Sequence, residues 1–89
     1  MKVSKDLILR EIAGEFLLVP TGAAAARFNG LITMNEIAHF LFQALQEEQT
    51  EASLLEQITG TYQIDPETAR RDLQDFLQQL RELGVLMEP

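Results

Sequence analysis

The hydrophobic pattern divides this chain into a strand-forming first third and a helix-forming remainder. Residues 7–12 and 15–19 are rich in β-compatible apolar side chains, and only Ala13 and Gly14 separate them. Two such runs joined by two residues predict a β-hairpin with a tight turn. Residues 30–35, with the sequence Gly-Leu-Ile-Thr-Met-Asn, predict a third short strand.

The connection between the second and third strands is ambiguous in the sequence. Pro20, Thr21 and Gly22 end the second strand, and alanines 23–26 follow directly. A loop and a short helix are equally compatible with this run, because a few alanines do not repay the cost of helix nucleation by themselves.

Three helices are predicted after the third strand. Residues 36–45 carry apolar side chains at three- and four-residue spacings behind Asn35, which is a favourable N-cap. Thr50 is expected to cap a second, shorter helix that ends near residues 60–62.

The third helix has the clearest boundaries. Asp65 is expected to be its N-cap with Pro66 at the first helical position, and Gly84 marks its end. The apolar tail 85–87 is expected to pack against the core rather than form a long strand.

Composition restricts the kinds of protein that this chain can be. Its 89 residues predict a single domain spanning residues 1–89. The absence of cysteine removes disulfides, thiolate metal ligands and cysteine nucleophiles, so the cytoplasm is the expected location. Neither a signal peptide nor an apolar window of membrane length is evident, and no membrane partner is expected.

The net charge of −7 is unevenly distributed along the chain. Residues 31–65 contain no lysine or arginine. Nucleic-acid binding depends on neutralising phosphates, so this charge makes a nucleic-acid partner unfavourable. The acidic residues of this stretch are Glu36, Glu47, Glu48, Glu51, Glu56 and Asp65.

The third predicted strand has an edge suited to docking. Residues 31–34 carry neither a charge nor a proline, the features that usually blunt an exposed strand edge. No later segment is predicted to pair with the far side of this strand. Another chain can therefore add there, unless the segment 23–30 covers the edge.

The residues that catalysis normally requires are sparse. The single histidine, His39, falls on the polar side of the first predicted helix and is expected at the surface. The glycines are scattered and form no phosphate-binding loop, and the clustered carboxylates lack calcium-loop spacing. We therefore expect a binding protein rather than an enzyme, with no cofactor and no metal.

The order of these motifs resembles that of the PqqD-like proteins, the peptide-recognition modules of ribosomal peptide-modification pathways. The matching segments are the strand 30–35 feeding a helix, Thr-x-x-x-Leu-Leu-x-x-Ile at 50–58, Tyr-x-Ile-Asp at 62–65 and the closing helix and tail at 76–86. The resemblance covers nearly the whole chain. It departs from the family in the longer, alanine-rich connection at 21–29.

The resemblance implies a winged-helix-like α+β fold in which an N-terminal three-stranded antiparallel sheet is followed by a three-helix bundle. In such a protein, the leader region of a ribosomal precursor peptide adds as a strand beside the third strand and lies against the third helix. The module presents that peptide to a peptide-modifying enzyme, such as one of the radical SAM type with iron–sulfur clusters. It binds no cofactor of its own.

The resemblance and the free edge together predict the peptide-binding residues. Strand alternation places either Leu31 and Thr33 or their neighbours toward the core, and the sequence leaves this register open. Arginines on the third helix are expected to contact acidic leader side chains, with a solvated helix face as the alternative. Leucines of the helix stripe are either the groove floor or plain core. The predicted residues are Leu31, Ile32, Thr33, Met34, Arg70, Arg71, Leu73, Gln74, Leu77, Gln78 and Arg81.

Two other functions remain open at this stage. The second and third helices could form the helix-turn-helix of a DNA-binding winged helix, although the third helix carries four acidic residues against three arginines. A general protein–protein adaptor is the other alternative. A flat, uncharged edge also favours self-pairing into a homodimer.

Overall fold

The chain folds into an antiparallel sheet covered by helices, in the order that the hydrophobic pattern predicts. This computed structural model describes residues 1–27 and 30–88. The elements are β1 (Lys2–Val3), β2 (Leu7–Ile12), β3 (Glu15–Pro20), α1 (Gly22–Arg27), β4 (Ile32–Met34), α2 (Glu36–Ala44), α3 (Glu51–Thr61), α4 (Pro66–Leu83) and β5 (Leu86–Met87). Strands β2, β3 and β4 form a three-stranded antiparallel sheet in that order, which confirms the predicted α+β class.

The β2–β3 hairpin turns at Ala13 and Gly14, as predicted. Both residues have positive φ angles, 53° and 82°, which is the conformation that a two-residue hairpin turn requires. The pairing runs without interruption from Leu7 opposite Pro20 to Ile12 opposite Glu15. Pro20 is therefore the last residue of β3, one residue later than the sequence suggested.

The alanine-rich connection forms the short helix α1, which settles the ambiguity in the sequence. Its beginning is held by the Thr21 amide, which donates to the Asp6 carbonyl at 2.8 Å. Ala24 is buried in the core, so tertiary packing stabilises a helix that is too short to form alone. The remainder of the connection, residues 28–29, lies outside the described residues.

The caps of the three longer helices are those that the sequence predicts. Asn35 accepts a hydrogen bond from the Ala38 amide at 2.8 Å, and Thr50 forms a reciprocal capping box with Ser53. Asp65 accepts from the first-turn amides of α4, and Gly84 ends that helix with a φ of 72°. Helix α2 ends one residue earlier than predicted.

The tail after α4 packs against the core, as expected, and also pairs with the N-terminal segment. Val85 is buried, while Leu86 and Met87 lie opposite Val3 and Lys2 in a two-stranded antiparallel ladder. The Ser4 amide extends this contact by donating to the Val85 carbonyl at 2.7 Å. The ladder was not predicted, because two-residue strands carry no readable alternation.

The apolar stripe of α4 lies at the centre of the core. The helix contacts α2, α3 and β5, and its buried residues belong to the same core cluster as Leu18 and Met34 of the sheet. The largest fully buried side chains are Leu18, Leu41, Leu45, Leu54, Ile58, Leu73, Leu77, Leu80 and Val85.

Candidate functional site

Strand β4 forms one edge of the three-stranded sheet. On one side it pairs with β3, with Phe16 opposite Met34, Leu17 opposite Thr33 and Leu18 opposite Ile32. Among the residues that the structure describes, no strand pairs with its other side. The unpaired side of β4 therefore offers backbone groups to an added strand.

The burial of the β4 side chains settles the register that the sequence left open. Met34 is 5% exposed and belongs to the core, and Ile32 packs against the same core. Thr33 is exposed, as is Leu31, which precedes the strand. The pair Ile32 and Met34 thus faces inward, and the pair Leu31 and Thr33 faces outward.

A groove runs between the β4 edge and helix α4, and it consists of two adjoining cavities. The first has a volume of about 150 Å³ and the second about 220 Å³. Both are smaller than the range of about 300–1,000 Å³ that is typical of small-molecule sites, so each suits a single side chain. The first is lined by Thr33, Asn35, Ile37, Ala38, Asp72, Asp75, Phe76 and Gln79, and the second by Ile32, Gln79, Glu82 and Leu83. We call these residues the β4–α4 groove.

The part of α4 that carries Gln74 and Arg81 faces away from this groove. Arg81 forms ion pairs with Glu88 at 3.0 Å and Glu51 at 3.7 Å, and Gln74 donates to Glu51 at 3.1 Å. This flank therefore faces α3 and the β5 end of the molecule. Arg70, Arg71 and Gln78 are exposed and line neither cavity, although Gln78 donates to Glu82 of the second cavity at 3.4 Å.

The contact of Arg70, Arg71 and Arg81 with a leader stays a prediction, and none of the three lines the groove. Residues of a helix are 100° apart, so the apolar stripe of α4 has two polar flanks. The flank containing Asp75 and Gln79, rather than the one containing Gln74 and Arg81, borders β4. Sequence periodicity gives the two flanks but not which of them meets the sheet edge.

The charge of Arg81 is paired within this chain. The hydrogen bond from Arg81 lowers the pKa of the Glu88 carboxyl from its ordinary value, and the same contact raises the pKa of Arg81. The guanidinium of Arg81 is thus engaged by side chains of this chain. It is poorly placed to bind an acidic leader residue.

The two leucines that the sequence offered as groove floor are core residues. Leu73 is 1% exposed and Leu77 is completely buried. Apolar contacts from α4 to the groove come instead from Phe76 and Leu83, whose side chains sit at the boundary between the core and the cavities.

His39 is not the free surface histidine that the sequence suggested. Its ring stacks on Phe16 with a centroid separation of 3.8 Å and an interplanar angle of 15°, and the residue is half-buried. Within the described ranges, no group of three or more histidine, cysteine, aspartate or glutamate side chains could hold a metal ion. Nor does any helix described here have the length and apolarity needed to cross a membrane.

Comparison with known proteins identifies the family. The model of the PqqD family, described as coenzyme PQQ synthesis protein D, matches residues 15–86. The chain therefore belongs to the PqqD family, as the order of its motifs predicted. No curated protein matches the chain.

Two solved structures are similar to this fold over almost its full length. One, "TbiB1 in Complex with the TbiA(beta) Leader Peptide", is 22% identical with a TM-score of 0.74, covering 100% of this chain and 98% of the other. The second, "Lasso peptide synthetase B1 complexed with the leader peptide", is 17% identical with a TM-score of 0.71, covering 98% and 96%. At these identities the likeness establishes a common fold.

Proposed function

We propose that this protein binds the leader region of a ribosomal precursor peptide as an added strand along β4, and presents that peptide to a modifying enzyme. The observation that carries the proposal is the β4–α4 groove beside the unpaired edge of β4. Membership of the PqqD family supports it, as do the two similar folds, both of which are complexes with a leader peptide.

The geometry suits strand addition in two respects. The backbone of β4 can supply main-chain hydrogen bonds, which give affinity with little dependence on sequence. The two cavities can receive side chains that point toward α4, which gives selectivity. Of the sequence-predicted residues, Ile32 and Thr33 line these cavities and are proposed to contact the leader directly.

The protein is proposed to have no turnover of its own and to bind no cofactor. Its contribution is to raise the local concentration of the peptide at the enzyme, which the family resemblance suggests is of the radical SAM type. We place it in the cytoplasm as part of this proposal, because it has no cysteine that needs an oxidising compartment. Self-pairing at β4 into a homodimer would compete with the leader for the same edge.

Amide exchange along β4 tests the proposal most directly. In an antiparallel strand, successive residues direct their backbone groups to opposite sides. The amides that point to the free edge are therefore either that of Thr33 or those of Ile32 and Met34. We expect the leader of a precursor peptide encoded beside this gene to slow exchange at one of these two classes, as measured by NMR.

A scrambled leader of the same composition is the control and is expected to leave β4 exchange unchanged. Proline at the residue whose amide becomes protected removes that donor and is expected to abolish binding in a folded protein. Unchanged exchange at β4 with a leader that binds elsewhere on the protein would refute strand addition.

A further inference from the structure

We propose that the β4–α4 groove selects leaders that carry a lysine or arginine two positions away from an apolar residue. This inference rests on the proposed function and adds the chemical class of peptide that the site accepts. The sequence alone suggested the opposite preference, for acidic leaders, because it assigned the arginine flank of α4 to the peptide.

The charge of the groove carries the argument. Asp72 and Asp75 line the first cavity, and Glu82 lines the second. Among the residues that the structure describes, no lysine or arginine lines either cavity and no ion pair includes Asp72 or Asp75. Arg71, one helical turn before Asp75, is exposed and lies outside both cavities. Two carboxylates that form no ion pair in the described part of the chain, beside a narrow cavity, attract a cation in the bound strand.

The N-terminus of α2 opposes this preference but is too weak to reverse it. Asn35, Ile37 and Ala38 also line the first cavity, and the start of a helix carries about half a positive charge. Asn35 already accepts from the Ala38 amide, and Glu36 lies in that first turn. Two full negative charges on α4 therefore outweigh the partial positive charge of α2.

The second cavity favours an apolar side chain. Ile32 and Leu83 form its apolar walls, with Glu82 and Gln79 beside them. Gln79 lines both cavities, so the two adjoin along the groove. Side chains on one face of a strand recur every second residue, about 6.6 Å apart, so neighbouring cavities take residues i and i+2 of the leader. Either order is compatible with the groove, depending on strand direction.

Selection from a random peptide library tests this specificity without a known leader. We would select 12-residue peptides by display against the wild-type chain and against D72K/D75K, with E47K/E56K as the control. Glu47 and Glu56 are exposed and lie outside the groove, so the control makes the same change in net charge. We expect the peptides selected by the wild type and by the control to carry a basic residue two positions from an apolar one. Peptides selected by D72K/D75K are expected to carry an acidic residue at that position instead.

A milder variant guards against misfolding of the charge-reversed protein. D72N/D75N is expected to weaken binding of a selected basic peptide about two- to fivefold for each carboxylate removed. The affinity of this variant should also depend less on salt concentration than the affinity of the wild type does. NMR shifts at β4 establish in each case that the peptide occupies the groove.

Three outcomes are distinguishable. The inference is supported if the wild type selects basic peptides, D72K/D75K selects acidic ones, and both kinds of peptide shift the NMR signals of β4. Peptides that shift β4 without a basic preference, or with one that D72K/D75K leaves intact, overturn it while strand addition stands. If no peptide is enriched, or if enriched peptides shift only signals away from β4 and α4, the proposed function fails together with the inference.

Discussion

Leu73 and Leu77 lie on the buried side of α4, in the common core. Neither side chain reaches the groove, although both fall on the same helical stripe as Phe76, which does. Within that stripe, an angular difference of 100° or less separates a core residue from a groove residue. Substitutions along α4 are therefore expected to divide sharply into those that affect stability and those that affect binding.

Truncation of Leu77 tests this division. Leu77→Ala should lower the free energy of unfolding by about 2–5 kcal/mol, because it leaves a cavity at a fully buried site. Urea denaturation measures the change. The exposed neighbour provides the control, since Gln78→Ala should alter stability by no more than about 0.5 kcal/mol. If Leu77→Ala left the stability unchanged but reduced the affinity for the leader, Leu77 would have to be assigned to the groove rather than to the core.

The contact between Arg81 and Glu88 predicts a specific pH dependence. The Glu88 pKa is lowered in the folded protein, so the contact is fully formed above the ordinary glutamate value of 4.5. It is lost as the pH falls through the lowered value. Carboxyl NMR titration should show Glu88 titrating below its ordinary range, and Arg81→Gln should raise its pKa.

The matched control for this titration is Arg70→Gln, which removes the same charge from an exposed position of α4 that makes no described contact with Glu88. It should leave the Glu88 titration unchanged. Identical Glu88 curves in the wild type and Arg81→Gln would contradict the assignment of the shift to Arg81.

At the scale of elements, the sequence predicts best where local chemistry specifies a boundary. Asp65, Pro66 and Gly84 mark the ends of α4 through capping and backbone geometry, and these ends are correct. The β2–β3 turn follows in the same way from Ala13 and Gly14. Where formation depends on distant partners, as in α1 and the β1–β5 ladder, local sequence was ambiguous or silent.

The candidate site was only partly predictable for the same reason. The uncharged run that becomes β4 identified the edge, because edge protection is a local property of the sequence. The choice between the two flanks of α4 depends on how that helix crosses the sheet, which no local pattern encodes. Asp72, Asp75 and Gln79 were thus overlooked as groove residues, although the polar flank that contains them was visible.

The hairpin turn offers a test at the level of one element. Ala13 has a φ of 53°, which disfavours residues other than glycine and asparagine. Ala13→Asn creates the preferred Asn-Gly turn and should stabilise the protein by about 0.5–1 kcal/mol in urea denaturation. Gly14→Ala should destabilise it by about 1 kcal/mol, although the added methyl group meets no neighbour within 4 Å. If Ala13→Asn and Gly14→Ala both had the same free energy of unfolding as the wild type, the interpretation of a strained turn would be contradicted.

At the scale of the whole molecule, leader binding at the proposed site would be coupled to folding. Its two walls, β4 and α4, are far apart in sequence and meet only in the folded chain. A leader that bridges them therefore binds the folded state alone. At 100 times its dissociation constant, it should raise the free energy of unfolding by about 2.7 kcal/mol.

Thermal unfolding with and without the leader measures this stabilisation, which corresponds to an increase in Tm of roughly 10–20 °C for a domain of this size. A scrambled leader at the same concentration should have no effect. Binding at β4 without any increase in Tm would indicate that the peptide also binds the unfolded chain.

The β1–β5 ladder has a consequence for how such a module can be built into other proteins. Lys2 lies opposite Met87, so the beginning and the end of the described chain leave the fold side by side, about 5 Å apart. A unit with adjacent ends can be spliced into a surface loop of a larger polypeptide without opening its interior. If such a module were inserted into a modifying enzyme in this way, one polypeptide would both bind the peptide and modify it.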